Sequence, residues 1–397
     1  MSTTQKTIRI FFLDNLKVFF VLLVIFYHAA VTYGVVGWWY YVAAINENNP
    51  TNDLDSLFFM FLTIIGALFQ ASLMGLFFLL GGYFTPGSYD RKEPRNYWKE
   101  RLIRLGAPLI LYIVIVDPFM VYSLAVMGIK EWSTYPVLQG TFLDFYLSRF
   151  QSIAGIIEFF SSMGPMWFLL VLLIFTFGYT IWRLVSKQES IKDFVTREHQ
   201  IPRIFLLFLL SLGLGLITFI IRFFFPVGVV ILGIPLAFFT QYAMMFVVGV
   251  IAYRGDWFQK IDNSQIKTWI IIIIASAFFF VFYIVFIFGI ESDFEVMAGS
   301  FTLHALVYAM VDNVICMGMI FVLIPIFRDR FNAQGNILRN LSSNAYIMYL
   351  IHAPVLVGVS ILLASIQFLP LIKLLIAFPL SALFCLLLSH FILRRIL

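Results

Sequence analysis

Charged residues are scarce. Asp, Glu, Lys and Arg make up 12% of the 397 residues, against about 25% in a typical soluble domain. That shortfall excludes a water-soluble globular chain. Cysteine is nearly absent, and Cys316 and Cys385 both lie inside apolar runs. A disulfide framework and a cysteine metal site are therefore excluded, and no metal is expected. The chain lacks low-complexity tracts, and it shows no convincing internal repeat. The phrases "IFYHAAV" and "YLIHAPV" look alike, but their flanks do not. That argues against the paired, interrupted helices of inverted-repeat transporters. A cleavable signal peptide is not expected either, because the first apolar run is too long and is interrupted by His28.

Apolar length is what the chain has. Hydrophobic residues reach 62% and aromatics 18%, with a mean hydropathy of +0.96. Runs near 20 residues repeat throughout, which predicts an all-α polytopic membrane protein in the cell membrane. The ten expected spans are Leu16 to Val36, Leu57 to Phe84, Leu105 to Met127, Met166 to Val185, Ile204 to Phe223, Leu236 to Tyr253, Trp269 to Ile290, Phe301 to Phe327, Ala345 to Ile366 and Leu371 to Leu393. Residues 1–397 read as one integral-membrane domain. The segment from Gly128 to Pro165 is the longest between spans. It can hold an interfacial helix around "FLDFYLSRFQSIAGIIEFF".

Lys and Arg alternate from loop to loop. One set of connections holds Lys6, Arg9 and Lys17, then Arg91 to Arg104, then Arg183 to Arg203, then Arg254 to Lys267, then Arg328 to Arg339, and finally Arg394 and Arg395. The intervening loops, such as "WWYYVAAINENNPTND" and "ESDFEVMAGS", have no basic residue. The positive-inside rule then puts both termini in the cytoplasm. The net charge of +5 is explained by these loops and implies no nucleic-acid partner.

Two features stand out against this background. Lys17 and His28 are eleven steps apart on span 1. Eleven turns of about 100° return to within about 20° of the start, so both side chains share a face, roughly 16 Å apart along the axis. Asp14 lies one turn before Lys17 on nearly the same side. Lys17 reads as a snorkelling anchor or as a cationic site at the cytoplasmic rim. His28 reads as a bundle hydrogen-bonding group or as a functional group, since ionisable residues at this depth are functional by default. The second feature is "YWKERLIRLGAP", where Arg101 and Arg104 are spaced i, i+3 and share one α-helical face. Paired guanidinium groups suit a phosphate.

These residues carry a resemblance. "LDNLKVFFVLLVIFYH", "FFLLGGYF", "YWKERLIRLGAP", "MWFLLVLL" and "LSSNAYIMYLIHAP" follow one another as in the membrane acyltransferase family 3, which the chain resembles from Asp14 to about Pro354. Within it, the "GGYF…W-K-x-R-x-x-R-x-G-x-P" block is most similar to the glucan succinyltransferase type. The resemblance implies ten spans, cytoplasmic acyl-CoA as donor and an outer acceptor, usually a glycan or lipid-linked saccharide. It assigns Lys17, Arg101 and Arg104 to the donor phosphates, although many members have Arg where Lys17 stands. It makes His28 the candidate catalytic group. A neutral imidazole can take the acceptor's proton, or attack the thioester and carry the acyl group itself.

Further intramembrane polar residues join the candidates. His352 enters from the same side as His28 and reaches a similar depth, beside Pro354. Asp312 and Asn313 lie mid-span, where a carboxylate needs a partner; Asp312 can orient a histidine or act as a structural acceptor. His304 is expected at the outer rim. Trp167 can wall the acyl tunnel or anchor at the interface. Trp38, Trp39, Tyr40 and Tyr41 can stack on a sugar or form an aromatic belt. Arg222 can grip an anionic acceptor. The alternative to an O-acyltransferase is a proton-coupled transporter, with His28, His352 and Asp312 as its relay.

Overall fold

The computed structural model describes residues 10–37, 39–43, 50, 52–128, 140–197, 199–289 and 294–391. Expectations placed on Lys6, Arg9, Trp38, Arg394 and Arg395, and on parts of the first and seventh-to-eighth connections, lie outside them.

Among the described residues, ten helices are long and apolar enough to cross a membrane. In chain order they are α1 (Phe11–Tyr33), α2 (Asp53–Asp90), α3 (Pro94–Val126), α6 (Gly164–Val185), α8 (Ile204–Phe224), α9 (Leu236–Gly255), α11 (Asn263–Phe288), α13 (Leu303–Arg330), α14 (Asn336–Ala364) and α15 (Pro370–Phe391). The shorter helices are α4 (Phe142–Ser148), α5 (Ile153–Ser161), α7 (Gln188–Thr196), α10 (Trp257–Lys260) and α12 (Glu295–Gly299). Among the described residues, extended pairing is limited to one bridge between Ile231 and Ile234. Each span falls where hydropathy puts it. Helical ladders satisfy most backbone groups within each span, which lipid demands.

α1 packs on α14 and α15. Its register is set by a buried amide: Asn15 Nδ2 donates to the Phe331 and Ala333 carbonyls at 2.6 and 3.0 Å. Gln334 Nε2 donates back to Asn15 Oδ1 at 2.8 Å. Near the same end, Ser389 Oγ donates to Asn344 Oδ1 at 2.8 Å, joining α14 to α15. An even number of crossings puts both described chain ends on this side, the terminal face.

α2 and α9 approach each other closely at two glycines. A Cβ at Gly82 would lie 2.0 Å from the Phe246 carbonyl oxygen, and one at Gly249 would lie 2.1 Å from that of Leu79. Only glycine permits this approach, the small-residue packing that membrane helices use in place of a hydrophobic drive.

α3 is not a uniform α-helix. It widens into π turns at Leu102–Gly106 and Tyr112–Val116. Pro108 and Pro118 lie just beyond them. A proline lacks the N–H that would bond four residues back, and its ring crowds that carbonyl. The Arg104 carbonyl, freed by Pro108, accepts from the Tyr346 hydroxyl of α14.

Candidate active site

His28 occupies the last third of α1. Its ring stacks on Trp39 at 4.0 Å between centroids and 20° between planes. On the other element, α14 delivers His352, whose ring stacks on His28 at 5.2 Å and 25°. The shared depth expected for the two histidines becomes direct contact. His352 Nδ1 donates to the Tyr349 carbonyl at 2.5 Å. That fixes its tautomer, because a carbonyl only accepts, and leaves Nε2 as a bare acceptor. The Val24 carbonyl lies beside the His28 ring, but Nδ1 makes no hydrogen bond of normal geometry among the described residues.

His28 lines a cavity of about 1520 Å³. The walls come from the end of α1, the first half of α2, the Asp117 region of α3, the 149–167 segment, the connection 227–235, and Ile284, Phe288, Gly289 and Phe294. All of these lie at the end of the bundle opposite the terminal face. The cavity exists because the 161–166 stretch dips inward. Tyr349 Oη donates to the Pro165 carbonyl at 2.5 Å, one turn before His352. Non-helical backbone at this depth is tolerated where it lines a cavity. Gly164 makes the dip possible: its φ is +44°, and a Cβ there would meet Tyr40 Oη at 2.3 Å.

A buried polar network borders the cavity. Tyr40 Oη donates to Asp117 Oδ1 at 2.7 Å, and Tyr112 Oη donates to Tyr40 Oη at 3.1 Å. Arg149 Nη1 faces Asp117 Oδ2 at 3.7 Å, with both side chains at most 3% exposed. The 142–160 stretch forms two helices, not one. α4 starts with Thr141 and Asp144 in a capping box and α5 with Ser152, and Arg149 sits in the turn between them, beside Phe145 and Phe159. Tyr40 is thus a hydrogen-bond donor inside the bundle, while Trp39 is a stacking partner of the histidine pair. Trp167 also lines the cavity and stacks on Tyr242 at 5.5 Å.

Asp312 has a different neighbour from a histidine. Arg222 Nη2 donates to Asp312 Oδ2 at 2.5 Å, and both side chains are at most 1% exposed. The Arg222 guanidinium lies between the rings of Phe238 and Tyr308, at 4.8 and 4.6 Å. Those rings line the cavity, while Arg222 and Asp312 do not. The ion pair backs the wall. Beside it, Asn313 Nδ2 donates to Thr218 Oγ1 at 3.2 Å, joining α13 to α8. His304 accepts or donates at 2.8 Å with the Tyr283 hydroxyl, away from the cavity.

The terminal face gathers the basic candidates. Lys17 Nζ pairs with Asp14 at 3.2 Å and sits 4.2 Å above the Phe84 ring. Arg101 Nη2 reaches Thr85 Oγ1 at 3.4 Å and lies over the Tyr97 ring. Adjacent residues of α2 therefore draw Lys17 and Arg101 together. Arg104 is exposed, though it and Arg101 both act on Glu100. The π turn starting at Leu102 alters the α-helical i, i+3 relation of the two arginines. This is why they are unequal: Arg101 is half-buried and held, and Arg104 faces outward.

Sequence reasoning passed over Asp117, Arg149, Tyr112 and Asp55. Asp117 was visible as a carboxylate inside "VIVDPFM", which must find a partner. Arg149 was visible as a basic residue on the side otherwise poor in them.

The arrangement defines a class: a multi-pass membrane protein with a stacked histidine pair inside its bundle, one ring of which lines a cavity. A family model described as an acyltransferase domain, acyltransferase family 3, matches residues 10–390. The chain belongs to that family and is a membrane acyltransferase. No curated protein and no solved structure matches it.

Proposed function

We propose that the protein transfers an acyl group from acyl-CoA, bound at a cytoplasmic terminal face, to a hydroxyl of a glycan or lipid-linked saccharide in the opposite, outward-facing cavity. The observation that carries this reading is His28, which lines that cavity and sits on the helix whose other end bears Lys17. The alternation of Lys and Arg supports the orientation. The glucan succinyltransferase look of the "GGYF" block supports a glucan acceptor. Proton-coupled transport is set aside, because the family is one of acyltransferases.

Lys17 and Arg101 hold the donor's phosphates by charge-assisted hydrogen bonds, with Arg104 adding long-range charge. The donor's flexible arm carries its thioester toward His28. As a general base, His28 takes the acceptor hydroxyl proton while that oxygen attacks the thioester carbonyl carbon. The C–S bond breaks, an ester forms, and the proton leaves on the CoA thiol. As an acyl carrier, His28 would attack first, release the thiol and pass the acyl group to the hydroxyl. His352, stacked on His28 at 5.2 Å, keeps the plane of the reacting imidazole fixed in either route.

The test is CoA thiol release by the purified protein in nanodiscs, with and without glycan, for wild type and His28→Gln. Acceptor-stimulated release lost in His28→Gln supports the proposal. Near-normal turnover in that variant would reduce His28 to a packing residue. Orientation is checked with Ser56→Cys, which should react with an impermeant thiol reagent on intact cells, and Lys192→Cys, which should not. The reverse pattern would invert the direction of transfer.

A further inference from the structure

The cavity carries information about the acceptor's charge. Among the described residues, its charged lining groups are Asp55, Asp117, Glu158 and Arg149. Three carboxylates thus face one cation. That cation is committed, being buried against Asp117 and between two phenylalanines. Arg222, the other basic residue expected to meet an acceptor, lies behind the wall on Asp312. Among the described residues, the lining therefore offers an anionic ligand no cation beyond the one facing Asp117.

It offers a polyol several acceptors. Asp55 and Asp117 are buried at 3% and 2% exposure, yet Oδ2 of each has no hydrogen-bond partner among the described residues. A buried acceptor left unmade carries a desolvation penalty, which a ligand hydroxyl placed there would relieve. Around these oxygens the walls are aromatic, with Trp167, Tyr242 and Tyr308 among them. Apolar faces for ring C–H groups and a few fixed acceptors for O–H groups are the usual make-up of an orienting small-molecule site.

We propose that this cavity selects a neutral polyhydroxylated ring and rejects anionic ones, with Asp55 and Asp117 accepting hydrogen bonds from its hydroxyls. This inference rests on the cavity being the acceptor site of the proposed reaction. Tyr40 holds Asp117 Oδ1 at 2.7 Å, while Arg149 faces Oδ2 at 3.7 Å, beyond hydrogen-bond reach, so Oδ2 keeps acceptor capacity for a ligand hydroxyl. A carboxylate or phosphate on the acceptor would face like charge from Asp55, Asp117 and Glu158, the arrangement by which interfaces exclude wrong partners.

The experiment uses the full chain in nanodiscs with two probes, cellotetraose and the same tetrasaccharide oxidised to glucuronate at C6. Binding is followed by intrinsic tryptophan fluorescence without donor, so the result does not depend on catalysis. Thiol release with acetyl-CoA and succinyl-CoA is followed separately. Expected is binding of the neutral chain at least roughly tenfold tighter than the uronate, and a ratio that falls below about threefold in Asp55→Asn and in Asp117→Asn. Two variants are used because Asp117→Asn disturbs the Arg149 pair and can impair folding, whereas Asp55→Asn leaves that pair intact. Equal binding of both probes, preference for the uronate, or no binding of either overturns the inference. Discriminating binding without thiol release from either donor would instead overturn the proposed reaction and leave the charge selection standing.

Discussion

The two ends of this bundle handle charge in opposite ways. At the terminal face, Lys17 and Arg104 reach water, and Arg101 is half-buried against Thr85 and Tyr97. At the other end, Asp117 and Arg149 are sealed together beside a cavity. Exposed cations retain hydration until a phosphate arrives, so they suit a ligand that comes and goes. Sealed charges have already lost their water and are held by protein groups, Asp117 by Tyr40 and Arg149, so they suit fixed geometry. Between the ends, Phe20, Phe77, Phe168 and Tyr349 pack ring to ring, at 5.4 to 6.3 Å. His352 stands at the top of this stack, 5.6 Å from Tyr349. The histidine pair lies where the open end meets the packed middle.

The largest expected effect falls on that meeting point. His28→Ala and His28→Gln should each cut acyl transfer by roughly 10²–10⁴-fold, the usual worth of general acid–base catalysis. Donor binding should persist, because Lys17 and Arg101 are untouched. The measurement is thiol release beside a donor-binding titration; loss of both together would mean a collapsed bundle.

The next effect separates the ends by stability. Arg149→Ala leaves the Asp117 carboxylate buried and unpaired, which should destabilise the protein by about 3–5 kcal/mol. The double change Asp117→Leu with Arg149→Met should recover much of that loss, since apolar replacement of a buried pair is often neutral or stabilising. Arg104→Ala, at the exposed end, should leave stability within about 0.5 kcal/mol of wild type. Thermal or denaturant unfolding in one detergent compares all three. A harmless Arg149→Ala would show that the pair is not sealed in solution.

Much of this was legible in the sequence. The spans could be placed because lipid requires long apolar helices. His28, His352 and Lys17 stood out because ionisable groups are rare in such runs. The rest depended on tertiary geometry. Nothing in the hydropathy of "SSMGPMWF" says that Gly164 and Pro165 sink to the level of Tyr349. The i, i+3 spacing of Arg101 and Arg104 implies equality only in an α-helix, and Pro108 lies just past a π turn. Arg222 and Asp312 were each recognised as unusual, but ninety positions of sequence hide that each answers the other.

The smallest effects lie among the three basic residues of the terminal face. Arg101 is held by Thr85 and by the Tyr97 ring, so its guanidinium is already oriented before a phosphate binds. Removing it should cost about 1.5–3 kcal/mol, the worth of a hydrogen bond to a charged group, or roughly 10–150-fold in donor KM. Arg101→Lys should recover only part, because an ammonium lacks the planar fork. Arg104 acts on the same phosphate region from the exposed side of the π turn, where solvent screens it and its long side chain must be ordered on binding. Exposed pairs are worth about 0–1 kcal/mol, so Arg104→Ala should raise donor KM by no more than about fivefold. It should also lose that effect in 0.5 M salt, where the screening length falls below about 8 Å, while the Arg101→Ala defect largely survives. Donor KM at low and high salt for the two alanine variants decides the matter. Equal defects with equal salt dependence would restore the symmetric arginine pair that the spacing alone suggests.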